Sequence, residues 1–162
     1  MNNDNFFENI KEIRFSKKAM PVPYKYRIRY KIALIVLIIG ICCRKGACSL
    51  TKIHMLSWAL TSSKEMDKLT RFLHSESTTN QLTIRLDPSV SRALAFGVAE
   101  KVFFQTNNGK YALTKQGDRV SKEIMEDTEI LAIEKMFLKS VANKLPEKKI
   151  DEIIADWRIF GV

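Results

Sequence analysis

Twelve consecutive residues, Ile32 to Cys43, carry no polar side chain apart from two thiols. A helix that is apolar around its whole circumference has to be covered around its whole circumference. This segment therefore dictates the plan of the fold, as a helix running through the middle of a domain or lying under a partner. It is too short to span a bilayer, which takes roughly 20 apolar residues, whereas runs of about 10 to 14 are typical of buried core helices. Export is equally poorly served. About thirty mostly polar residues come first, and Arg44-Lys45 follow directly where a signal peptide would place small residues. The expectation is a buried helix in a cytoplasmic protein with no membrane partner.

The second constraint lies between Leu82 and Gly117. Leu82-Thr83-Ile84-Arg85-Leu86 alternates apolar and polar residues with the period of a strand. Asp87 then offers a helix cap, and Pro88 suits the first helical position. A helix is expected from Pro88 through Ser91, Leu94 and Val98 towards Glu100. Val102-Phe103-Phe104 and Tyr111-Ala112-Leu113 flank Asn107-Asn108-Gly109, where Asn108-Gly109 is the favoured pair for a two-residue primed turn. Tyr111 and Leu113 share one face of the second strand, and Thr114 can cap a helix beginning at Lys115. Strand, helix, hairpin and helix in this order resemble the end of a winged-helix domain. The run Tyr111-Ala112-Leu113-Thr114-Lys115-Gln116-Gly117 resembles the Tyr-x-Leu-Thr-x-x-Gly pattern that closes the wing in many bacterial members. Such a resemblance specifies a fold and leaves the activity open.

At 162 residues and 46% apolar composition, the chain suits one domain with a helical extension. Residues 1–24 form a polar, then basic lead-in that closes with Pro21-Val22-Pro23, although Phe6, Phe7, Ile10 and Ile13 have the spacing of a local helix. Residues 25–127 are assigned to the winged-helix domain and residues 128–162 to the extension. A first helix is expected from Tyr26 to Cys43 and a second from Leu50 to Leu60, capped by Ser49. A third is expected from Ser63 to His74, with Ser62 and Glu65 as a capping box. After the wing, helices should cover Lys115 to Asp127, Glu129 to Asn143, and the residues beyond Pro146. The class is mainly α: helices, a short strand, a hairpin wing and a C-terminal helical extension.

Chemistry is sparsely represented. His54 and His74 are the only two histidines, and neither belongs to a nucleophile elbow, a phosphate loop or a paired-carboxylate motif. Cys42, Cys43 and Cys48 contain no C-x-x-C pair, adjacent cysteines ligate one ion poorly, and Cys42 and Cys43 point to different faces of a helix, so the spacing is wrong for a metal site even with His54 nearby. Three free thiols suit a reducing compartment. No catalytic residue, cofactor or metal ligand is assigned.

The charge is one-sided. The net charge is +9, and the segment Lys11 to Lys45 holds ten basic residues against the single acid Glu12, so the rest of the chain sums to zero. Such a basic third attracts phosphate or acidic partners. The helix Ser63 to His74 adds Lys64, Lys68 and Arg71 at spacings of four and three, one basic face of the kind that tracks phosphates. Arg27, Arg29 and Lys31 are expected to join it as a non-specific DNA contact. The helix before the wing is different. Among Val90, Ala93, Leu94, Ala95, Phe96, Val98 and Ala99 it offers few groups able to read base edges, which makes Arg92 and Phe96 candidates for a protein contact. Near the C-terminus, Ile150, Ile153, Ile154, Trp157 and Phe160 form an apolar stripe, with Trp157 and Phe160 as candidate interface anchors.

The charged lead-in, the apolar first helix, the start Asp87-Pro88-Ser89-Val90-Ser91-Arg92-Ala93-Leu94 and the Tyr111-to-Gly117 wing together resemble the small middle components of bacterial three-component ATP-driven defence systems, Lamassu-like systems among them. The resemblance covers about Tyr26 to Val120. It implies a non-catalytic accessory subunit bridging an SMC-like or ABC-type ATPase and an effector, with DNA as a further, non-specific contact. The rival is a free-standing winged-helix transcription regulator that dimerises through its C-terminal helices and binds one palindromic operator.

Overall fold

The computed structural model describes residues 23–24, 27–43, 46–74, 84 and 86–159, the last six as backbone only. Across them the chain is mainly helical with one small antiparallel sheet. The apolar run forms the body of α1 (Ile28–Cys42). Leu34, Ile35, Val36, Leu37, Ile38 and Ile39 are buried in succession, none more than 2% exposed. Those six side chains contribute on the order of 10 kcal/mol of hydrophobic stabilisation, against which ordering entropy must be set. Cover comes from α2 (Leu50–Ala59), α4 (Pro88–Ala99), α5 (Lys115–Glu126) and α6 (Ala132–Val141), all of which pack on α1. α3 (Ser63–His74) packs on α2, as does α7 (Glu147–Ile159). No helix of the described residues is long and apolar enough to cross a membrane.

The sheet has the order β1-β3-β2, from β1 (Ala47–Cys48), β2 (Phe103–Gln105) and β3 (Tyr111–Leu113). Ala47 faces Ala112, and Phe103 faces Leu113. β1 differs from the strand expected at Leu82 to Leu86. Most of that stretch lies outside the described residues, and Ile84 and Leu86 belong to no strand, Leu86 being 71% exposed. Two residues give no alternation to read, which is why β1 is invisible in the sequence pattern.

The hairpin forms between the expected strands, but by a different turn. Gly109 N–H donates to Thr106 O at 2.9 Å, and Thr106 N–H to Lys110 O at 2.8 Å. Only Gly109 has positive φ there, so Asn107-Asn108-Gly109 makes a three-residue loop with glycine in the left-handed position, where a two-residue primed turn would put Asn108 there as well.

The helix starts follow their caps. Ser49 accepts from Lys52 N–H at 3.2 Å, Asp87 from Ser89 N–H at 2.8 Å, and Thr114 from Gly117 N–H at 3.1 Å. Ser62 likewise accepts from Glu65 N–H at 3.3 Å. The reciprocal arm of that capping box is not made: Glu65 Oε1 accepts from Lys68 Nζ, and Oε2 has no partner.

Residues 128–153 share the core of α1. Phe137, Leu138, Val141, Leu145, Ile150 and Ile153 belong to the same buried cluster as α1. Tyr30 in α1 donates to Glu134 in α6 at 3.0 Å. Ile150 and Ile153 thus bury the first half of the C-terminal stripe. The side chains of Ile154 and Trp157, with Phe160 and nearly all of the lead-in, lie outside the described residues.

Candidate functional site

The surface around α4 is built from its N-terminus. Asp87 caps the helix and also meets Lys31 Nζ at 2.8 Å, although Lys31 is 4% exposed. Burial alone would raise the Asp87 carboxyl, but the Lys31 ammonium and the Ser89 N–H hold it below the ordinary carboxylate range. Lys31 is therefore not placed on a nucleic-acid surface as the sequence suggested. Its charge is spent on joining α1 to α4.

With its start fixed, α4 buries Val90, Ala93, Leu94 and Gly97 against the core. Ser91, Arg92, Ala95, Phe96 and Ala99 are left exposed. Arg92 and Phe96 stand one turn apart on this face, as neighbours at i, i+4. Phe96 is 53% exposed, and Phe104 on β2 is 46% exposed while its neighbour Phe103 is buried against Gly97. The face is thus chiefly apolar or small, with one cation. That chemistry suits a protein surface better than base edges.

The proposed basic residues lie elsewhere. Lys64, Lys68 and Arg71 are all exposed on α3. Lys68 is paired with Glu65 at 2.9 Å, which lowers the net charge of that face. At the end of α3, His74 Nε2 lies 2.6 Å from Lys144 Nζ, which adds a further basic side chain. Arg27 and Arg29 are exposed at the start of α1.

Two further groupings emerge only in three dimensions. Ser91 Oγ lies 3.5 Å from His54 Nε2 beside a cavity of about 440 Å³ that Asp87 also lines. The residue types are those of a nucleophile, a base and an orienting carboxylate. The contacts are not: Asp87 is engaged by Lys31 and Ser89, and His54 Nδ1 is buried with no partner. Burial lowers the His54 pKa, with Asp87 opposing, so the imidazole is neutral at physiological pH.

The second grouping is a cavity of about 470 Å³ lined by Cys42, Cys43, Lys52, Lys110 and Glu147 among others. Cys43 Sγ, Cys48 Sγ and a Glu147 carboxylate oxygen lie within 4.8 Å of one another. Gly46, at φ +72°, donates its N–H to Cys43 O at 2.9 Å, two residues before Cys48. Burial pushes the neighbouring Cys42 thiol up to about 12, and its Sγ faces Leu138 O. No sequence signal announced Glu147, which enters from the start of α7. The single hint was that Pro146-Glu147 opens a helix.

Comparison with models of protein families returns no match. None is found among curated proteins. No solved structure matches.

Proposed function

We propose that this chain is a winged-helix accessory subunit that bridges an SMC-like or ABC-type ATPase and an effector in a bacterial defence complex, with DNA as a non-specific secondary contact. The observation that supports this reading is the exposed face of α4, where Arg92 and Phe96 lie open on the helix that directly precedes the hairpin, the helix expected to reach bases if the chain were a winged-helix DNA reader. Support for the fold comes from the sheet order β1-β3-β2 and from a hairpin that directly follows α4. The exposed Lys64, Lys68 and Arg71 supply the phosphate-tracking charge that a non-specific DNA contact needs. In this reading the chain performs no chemistry. It positions partners.

A homodimeric winged-helix regulator is the second reading, favoured by Ile133 and Met136 on α6, which are 63% and 68% exposed and one turn apart. Affinity purification of the tagged chain from its native host, with light scattering on the eluate, separates the two. An ATPase of the SMC or ABC type in fixed ratio is the expected result. A homodimer free of any ATPase, binding one palindromic sequence far more tightly than random DNA, would replace the first reading with the second.

A further inference from the structure

We propose that Cys43, Cys48 and Glu147 form a binding site for a zinc-class divalent cation, independently of the function proposed above. The three donors come from the end of α1, from β1 and from the first residue of α7, and all lie within 4.8 Å of one another. In a tetrahedral zinc site, ligand distances of about 2.3 Å to sulfur and about 2.1 Å to oxygen put the donors roughly 3.5–3.8 Å apart. The cluster needs to close by little more than 1 Å. Two thiolates select a borderline-soft ion over magnesium or calcium, which prefer all-oxygen cages.

The surroundings suit the cation. Ser49 N–H donates to Glu147 Oε1 at 3.1 Å, and Lys110 Nζ stands 3.5 Å from Oε2, so the carboxylate is oriented from outside the cluster. Two thiolates and one carboxylate around a divalent ion leave one negative charge. The ammonium groups of Lys52 and Lys110, which line the same cavity, offset it. Lys52 is 2% exposed and held by Cys42 O at 2.7 Å. The cavity of about 470 Å³ leaves room for a fourth ligand, water or a small anion. A bound ion would fasten α7 to the end of α1 and to β1, and so fix the C-terminal helix on the core.

The test is titration of the reduced full-length chain with cobalt(II), followed by displacement with zinc(II). One equivalent should give a thiolate-to-cobalt charge-transfer band and the intense visible bands of a tetrahedral site, both removed by zinc. Cys43→Ser should abolish the charge-transfer band or halve it, and Glu147→Gln should weaken binding at least tenfold with helical circular dichroism unchanged. Cys42→Ser, checked for folding in the same way, should bind as the parent does. The proposal is overturned if no tetrahedral spectrum forms, or if Glu147→Gln binds as tightly as the parent. It also fails if peroxide joins Cys43 to Cys48 while neither metal binds the reduced chain, the behaviour of a redox pair.

Discussion

Single residues show most clearly how charge is used inside this protein. Lys31, Lys52 and Lys135 are each at most 7% exposed, and each ammonium has a defined anion or carbonyl to meet. Lys52 donates to the last carbonyl of α1, and Lys135 to Ile124 O and Asp127 O at the end of α5. Both place a cation where a helix dipole is negative. The sequence presented Lys31 as one of three alternating basic residues, yet positions two apart on a helix do not share a face. Arg29 therefore points to solvent and Lys31 inward. Lys31→Met should destabilise the chain by about 2–4 kcal/mol, since it strands a partly buried Asp87, as read from the urea midpoint at constant m. The pH dependence has a fixed sign. Both His54 and Asp87 have depressed folded pKa values, so their contributions are present above the unfolded values and are lost as pH falls through the folded ones. Stability should decline first below about 6.5 as unfolded histidine charges, then again below about 4. His54→Gln should remove the first decline only, as seen in urea melts at stepped pH.

At the scale of elements, legibility followed the strength of the local signal. Caps at Ser49 and Asp87 are readable because a short oxygen side chain before a helical pattern has few other uses, and the cap at Thr114 because it follows a strand and precedes a polar helical run. The all-round apolar character of α1 likewise announced a central helix. β1 could not be read, since two residues acquire strand geometry only by pairing with β3. The Asn108-Gly109 pair favours a two-residue turn that does not form here. Thr106 side-chain bonds to Lys110 and Asn108 hold the wider loop, a competition that dipeptide preference ignores. Contact between α4 and β2 makes a sharper prediction. A Cβ at Gly97 would lie 2.3 Å from the Phe103 ring, itself 1% exposed and without room to move. Helix propensity alone would make Gly97→Ala stabilising by up to about 1 kcal/mol. Overpacking should win, giving a net loss of roughly 1–3 kcal/mol by the same urea measurement.

On the scale of the whole molecule, one core gathers residues from α1 to α7, and the candidate surfaces are what that core leaves outside. The exposure of Phe96 is legible because α4 has too many apolar residues for one buried face. The approach of Glu147 to Cys43 and Cys48 is not, because no pattern of spacing links it to thiols about a hundred positions away. The placement of charge obeys the same division: Lys64, Lys68 and Arg71 stay on the surface of α3 while the apolar face of α4 remains uncovered. In the function proposed above, this face of α4 binds protein. Hydrogen exchange of the chain alone and within a complex copurified from the native host reads that contact. Exchange over residues 88–105 should slow in the complex. Unchanged exchange there, with protection confined to other segments, would contradict the proposed contact.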